Sequence, residues 1–200
     1  MKKVKTIAGK MAPLPRNNVD TDQIMPKQHL KRVERTGFGP FLFHDWAYDH
    51  EDEPIPDFIL NHPEYQDSKV LVSGHNFGSG SSREHAPWGL EDWGFEAIVA
   101  PSFADIFYNN CVNIGLLPVV LSEAEVTELT ELAHDPGNHV VVDLDKQTVT
   151  CGDFQATFEI DPHAKHRLAN GLDNIGLTLQ HADAIDRFET ARPGFKPSLA

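Results

Sequence analysis

A chain of 200 residues, 40% of them hydrophobic, can bury the core of one large domain, while 30 acidic against 17 basic residues leave a formal net charge of −13. That charge excludes a general nucleic-acid or anionic-membrane surface, no apolar run is long enough to cross a bilayer, and residues 1–10 lack the apolar stretch of a secretory signal. A cytoplasmic protein is expected. Its two cysteines, Cys111 and Cys151, stand in separate segments without C-x-x-C pairing, so neither a disulfide framework nor a cysteine-ligated iron–sulfur cluster can be assembled from this chain alone.

In chain order, residues 21–47 mix proline, glycine, aromatics and charge without periodicity, which predicts long ordered loops with short helical pieces. Inside them, KQHLKRVERTGFG at 27–39 sets Lys27, Lys31, Arg32 and Arg35 against the single Glu34. This local reversal of charge suits an anionic substrate or an acidic partner, although such runs are commonly solvated loops. Asp20-Thr21-Asp22 reads as a turn or a weak cation site. Residues 51–56 read as an exposed loop, and 69–73 (KVLVS) as a short buried strand.

That strand delivers the chain into GHNFGSGSSREHAP at 74–87. Beyond it the pattern predicts a helix at 88–93, a strand at 97–100, a helix at 103–112 ended by Gly115, and a strand at 116–121. Ser122 with Glu125 forms a capping box that opens a further helix to Leu132. The alternation of strands and helices defines a layered α/β domain. The period then changes: 139–144 and 148–151 form a hairpin around Asp145-Lys146-Gln147, with a third strand at 156–160. Pro162 opens a C-terminal helical extension over about 162–192, helical spacing runs from 172 to 188, and the tail beyond 193 is loose. Residues 1–200 are read as one domain.

The glycine-rich loop carries the chemistry. Gly74, Gly78 and Gly80 permit close backbone approach and positive φ, and successive amides in such a loop form an anion-binding concavity. Ser81, Ser82, Arg83, Glu84 and His85 follow without a spacer, and Arg83 offers bidentate carboxylate binding unless it is spent on an ion pair with Glu84 or Asp105. Ser81-x-x-Glu84 also matches a capping box, but Pro87 would then fall in the second turn, so a helix beginning near Pro87 is expected instead. The loop lacks the G-K-[ST] of a nucleotide P-loop, the third glycine of a dinucleotide fingerprint, the glycine after a hydrolase serine, and the first histidine of H-x-x-E-H. Cys111 reads as a buried thiol, and no metal site is expected.

The run GHNFGSGSSREHAPWGLEDWGFEAIVAPSFADIFYNNCVNIGLLPVVL, together with NNVDTDQIMPKQHLKRVERTGFG and GLDNIGLTLQHADAIDRFETARP, resembles the small-subunit family of 3-isopropylmalate dehydratase, the swivel-domain members of the aconitase superfamily. The resemblance spans nearly the whole chain. It implies a swivelling β/β/α domain and the interconversion of 2-isopropylmalate and 3-isopropylmalate by dehydration and rehydration, in leucine biosynthesis. It also implies that this chain binds no cofactor and that a [4Fe-4S] cluster is held by a large partner subunit. Ser81 falls on the family's general base, Ser82 and Arg83 on carboxylate-binding positions beside Gly80, and the basic loop on the substrate-discriminating loop. In that loop Lys31, Arg32 and Arg35 are candidate carboxylate contacts, and Leu30 and Val33 candidate wall for the isopropyl group. Related hydro-lyase substrates, such as citraconate, dimethylmalate or homoaconitate, remain open, as does a non-catalytic anion-binding module in which Ser81 is only a cap.

Overall fold

The computed structural model describes residues 1–30, 35–193 and 195. Four strands, β1 (Thr6–Leu14), β2 (Val70–Ser73), β3 (Ala97–Ala100) and β4 (Leu117–Val120), lie parallel to one another. On the other edge of β1 stand β5 (His139–Asp143), β6 (Thr148–Cys151) and β7 (Phe154–Thr157), all antiparallel, giving a seven-stranded sheet in the order β4-β3-β2-β1-β5-β6-β7. Every residue of β2 and β3 is buried, as expected for parallel strands covered on both faces.

The sequence reading gives residues 6–14 no element, yet they form the strand on which both halves of the sheet pair. β1 uses its first half, Thr6 to Lys10, against β5, and its second half, Met11 to Leu14, against β2. The first half is partly exposed and the second wholly buried, so no one period runs through it, and Gly9, Lys10 and Pro13 break the apolar pattern further. β7 also begins two residues earlier than expected. Gly152 takes φ +57, the hairpin closes with Cys151 opposite Phe154, and Phe158 and Ile160 continue into the core beyond the strand.

Helix α1 (Thr21–Ile24) and α2 (His44–Ala47) are single turns within the long excursion from β1 to β2. α3 (His85–Trp93) and α4 (Asp105–Ile114) connect β2 to β3 and β3 to β4, and α5 (Glu123–Ala133) carries the chain back to β5. Alternate strand residues divide the core. Met11, Val70, Val72, Ala97 and Val99 pack with α5 residues Val126, Leu129 and Ala133, while Ala12, Leu14, Leu71, Ile98 and Ala100 face Phe77, Leu90 and Phe107. The capping box of α5 forms as read, with Ser122 Oγ accepting from the Glu125 amide and Glu125 accepting from the Ser122 amide.

α6 (Pro162–Asn170) sends Ala164 and Leu168 into the core, and its Leu168 carbonyl takes the Val4 amide at 2.9 Å. The single helical spacing read over 172–188 is two helices, α7 (Asn174–Leu179) and α8 (Ala182–Thr190), with no buried residue in either. Among the described residues no helix is long and apolar enough to cross a membrane.

The alternation on β5 can be tested by two adjacent substitutions. Val140 is fully buried and Val141 is 37% exposed on the opposite face. Val140→Ala is expected to cost about 2 kcal/mol in urea unfolding, and Val141→Ala less than about 0.5 kcal/mol. Equal costs would mean that the register differs from the one described.

Candidate active site

The loops that follow β1, β2 and β3 converge at the carboxyl ends of the parallel strands, where ligands bind in open α/β sheets. The glycine-rich loop is threaded between its two neighbours almost as an extra strand. Gly74 donates to the Arg16 carbonyl at 3.1 Å, Phe77 to Ser102 at 3.0 Å, and Gly78 and Ser79 both to Val19 at 2.8 and 3.2 Å. The amides of His75 and Asn76 donate to the side chains of Asn17 and Ser102. In return the loop carbonyls of His75, Phe77 and Ser79 accept from Asn18, Ala104 and Thr21. Every amide through Ser79 is therefore used. From Gly80 to Arg83 no amide finds an acceptor among the described residues.

Two glycines make that path possible. Gly78 has φ +76, and a Cβ there would overlap the Phe107 ring; Gly80 has φ +90 and lies against Asp20 and Thr21. Helix α3 then begins at His85, with Glu84 at its N-cap and no side-chain cap, and Pro87 in its first turn where no N–H is required. Ser81 caps nothing, and both it and Ser82 are exposed.

The serine segment rests on α1. Asp20 and Gln23 form a reciprocal capping box, the Gln23 amide donating to Asp20 Oδ1 at 2.8 Å and the Asp20 amide to Gln23 Oε1 at 2.9 Å. This turn presents buried Thr21, whose hydroxyl donates to the Ser81 carbonyl at 2.8 Å, and Asp22, which accepts from Arg83 Nη1. The ion-pair partner of Arg83 is thus Asp22, and not Glu84 or Asp105. The D-x-x-Q spacing from Asp20 to Gln23 is the sequence signal that would have placed Thr21 and Asp22 on a helix start.

Gly80, Ser81, Ser82 and Arg83 share one cavity of about 240 Å³ with Thr21, the first turn of α4 and Asn110. α4 has Ala104 at its N-cap and no side-chain cap, so the amides of Asp105, Ile106 and Phe107 remain at that wall and favour negative charge, which the Asp105 carboxylate partly offsets. A larger hollow of about 440 Å³ lies beside Pro40, Tyr48, Phe58 and Trp93, but its one carboxylate, Asp92, is committed to the amides of Gly37 and Gly39. The candidate acid–base and anion-binding groups Ser81, Ser82 and Arg83 line the smaller cavity.

The basic loop is only partly described. Leu30 packs at the edge of the core, and Arg35 places its guanidinium 5.1 Å from the centre of the Trp88 ring on α3. Lys31, Arg32 and Val33 lie outside the described residues. Among the described contacts none joins Arg35 directly to the serine segment.

Cys111 is fully buried in α4 and Cys151 almost fully in β6, and burial pushes both thiols up, that of Cys111 well above the ordinary range. Two separated, buried thiols do not fit an iron–sulfur cluster, and among the described residues no group of three or more His, Cys, Asp or Glu could hold a metal ion.

The chain is in the class of aconitase-type swivel domains, since residues 1–124 match the family model of the aconitase C-terminal domain. Residues 174–200 match the model of the C-terminal domain of 3-isopropylmalate dehydratase small subunits. A 3-isopropylmalate dehydratase small subunit from Halalkalibacterium halodurans is 56% identical over 96% of this chain and 100% of its own length. Those from Koribacter versatilis and Rubrobacter xylanophilus are each 52% identical, over 96% and 100% of this chain and 99% and 100% of their own. The chain belongs to the 3-isopropylmalate dehydratase small-subunit family. A solved structure of 3-isopropylmalate dehydratase from Methanocaldococcus jannaschii shares the fold, with a TM-score of 0.69 over 91% of this chain and 98% of its own at 24% identity.

Two outcomes follow from this packing. Gly78→Ala is expected to cost about 2–4 kcal/mol in chemical unfolding, because left-handed strain and overlap with Phe107 add. In native buffer near neutral pH neither cysteine should react with a thiol reagent within minutes, whereas both should react in denaturant; rapid stoichiometric modification of the native chain would contradict the burial of Cys111.

Proposed function

We propose that this chain is the proton-transferring half of 3-isopropylmalate dehydratase, a hydro-lyase that interconverts 2-isopropylmalate and 3-isopropylmalate in leucine biosynthesis. The observation that carries this is the cavity in which Ser81, Ser82 and Arg83 meet unused amides and the first turn of α4. Residues 1–200 act as one swivel domain, with 162–192 as its helical extension.

Ser81 is the base that removes a proton from the substrate carbon on dehydration and returns it on rehydration. A serine hydroxyl is a weak base, so its oxyanion must be stabilised; the amides of Ser82 and Arg83 and the Arg83 guanidinium are the groups at hand. Ser82, the Gly80 amide and Arg83 receive a substrate carboxylate. The basic loop supplies further cations at Lys31, Arg32 and Arg35, and Leu30 and Val33 supply apolar wall for the isopropyl group.

Ser81 and Ser82 are exposed in this chain alone, and an oxyanion in water gains little from nearby dipoles. The site therefore needs a cover. The large subunit supplies it and, on this reading, holds the [4Fe-4S] cluster that polarises the leaving hydroxyl, since the thiols here do not fit one. The enzyme acts in the cytoplasm.

Co-purification of this chain with its large subunit and assay of isopropylmalate dehydration tests the reading. Each chain alone should be inactive. Ser81→Ala in the complex should lower kcat by about 10²–10⁴-fold, the usual contribution of a positioned general base, with the unfolding midpoint unchanged because Ser81 caps no helix. Full turnover by Ser81→Ala would remove Ser81 as the base.

A further inference from the structure

We propose that Trp88 is a positioning residue on α3 that seats Arg35 for a carboxylate of the substrate. This deepens the isopropylmalate reading above and rests on it. The Arg35 guanidinium lies 5.1 Å from the centre of the Trp88 ring, within the range of a cation–π contact. Among the described residues no hydrogen bond or ion pair takes up the Arg35 guanidinium, so its N–H groups stay available for the bidentate grip that a carboxylate accepts.

Four further contacts fasten the chain just beyond Arg35 to the same helix. The amides of Gly37 and Gly39 both donate to Asp92 Oδ2, at 3.1 and 2.8 Å. Between them Phe38 is fully buried, its ring 5.4 Å from that of His85 and 6.2 Å from that of Trp88. Trp88 and Asp92 are four residues apart and therefore share one face of α3.

The helix that anchors Arg35 is also the one from which the catalytic segment hangs. α3 starts at His85, directly after Ser81 to Glu84. One rigid element thus fixes the Arg35 seat relative to the Ser81 loop, while α1 fixes that loop from the other side through Thr21. A dicarboxylate calls for two cationic contacts. Arg83 at the cavity is one, and Arg35, held on an aromatic platform, is the second with its ordering cost already met before substrate arrives.

The test uses the complex reconstituted with the large subunit and the variants Trp88→Phe, Trp88→Leu, Arg35→Gln and the double variant Trp88→Leu/Arg35→Gln. Trp88→Leu should raise KM for 3-isopropylmalate about fivefold, the size of one partly exposed cation–π contact, with kcat within about twofold. Trp88→Phe, which keeps an aromatic face, should stay within about twofold of the parent. In the Arg35→Gln background Trp88→Leu should add less than about twofold, since the two act as one unit. An undiminished Trp88→Leu effect in that background, or no effect in the parent, would overturn the proposal. A second readout needs neither partner nor activity: in a Trp46→Phe/Trp93→Phe chain, Arg35→Gln should shift the emission of Trp88, and no shift would overturn the contact itself. A parent complex inactive on isopropylmalate, with that shift intact, would sink the functional reading instead.

Discussion

The structure depends on one strand that changes partners half way along. β1 pairs with β5 through residues 6–10 and with β2 through residues 11–14, so it is the seam between the antiparallel and parallel halves of the sheet. Its buried second half also sets where the chain leaves the sheet. Because β1 and β2 run parallel and in register from Met11 opposite Val70 to Leu14 opposite Ser73, their following loops emerge side by side. The hydrogen bonds that Arg16, Asn18, Val19 and Thr21 exchange with residues 74–79 are a continuation of that pairing beyond the sheet.

The position of the candidate site follows from where this pairing ends. An amide already bonded to a neighbouring carbonyl has little to give a ligand, and the supply of neighbours lasts to Ser79. Beyond it Gly80 turns the chain at positive φ, and Gly80 to Arg83, their amides without acceptors among the described residues, line one cavity with the first turn of α4. The unpaired amides of the segment are thus a consequence of strand pairing coming to an end, and the serines stand just beyond that point, after Gly80. Thr21 makes the last bond of the series through its side chain, which holds the Ser81 carbonyl while leaving the Ser81 amide and hydroxyl uncommitted.

The parts of this arrangement legible in the sequence were those governed by local pattern. Continuous apolar runs announced β2, β3 and β4; the Ser122 and Glu125 capping box announced α5; and Pro87 argued correctly against a helix capped at Ser81. β1 was not legible, because its two halves answer to different environments and share no period. Nor was the break between α7 and α8, since two helices with no buried residue have no core contact to fix one axis. At the site, the role proposed for Ser81 comes from the resemblance, and geometry supplies what surrounds it. Asp22 beside Arg83 and Trp88 beneath Arg35 are contacts across 61 and 53 residues of sequence, beyond the reach of any local rule.

The ion pair between Arg83 and Asp22 bears on how an acidic chain receives an acidic substrate. With a formal net charge of −13, attraction must be local, and in this chain Arg83 is already neutralised. The Asp22 side chain, however, is 51% exposed, and a pair with one partner in water is worth about 0–1 kcal/mol. On the proposed role of Arg83, drawing it towards a substrate carboxylate costs little, because Asp22 keeps its hydration when the guanidinium turns away. Were Asp22 buried, the same exchange would strand a charge and cost several kcal/mol. Its exposure is what allows one arginine to be held in place before substrate binds and to remain available afterwards.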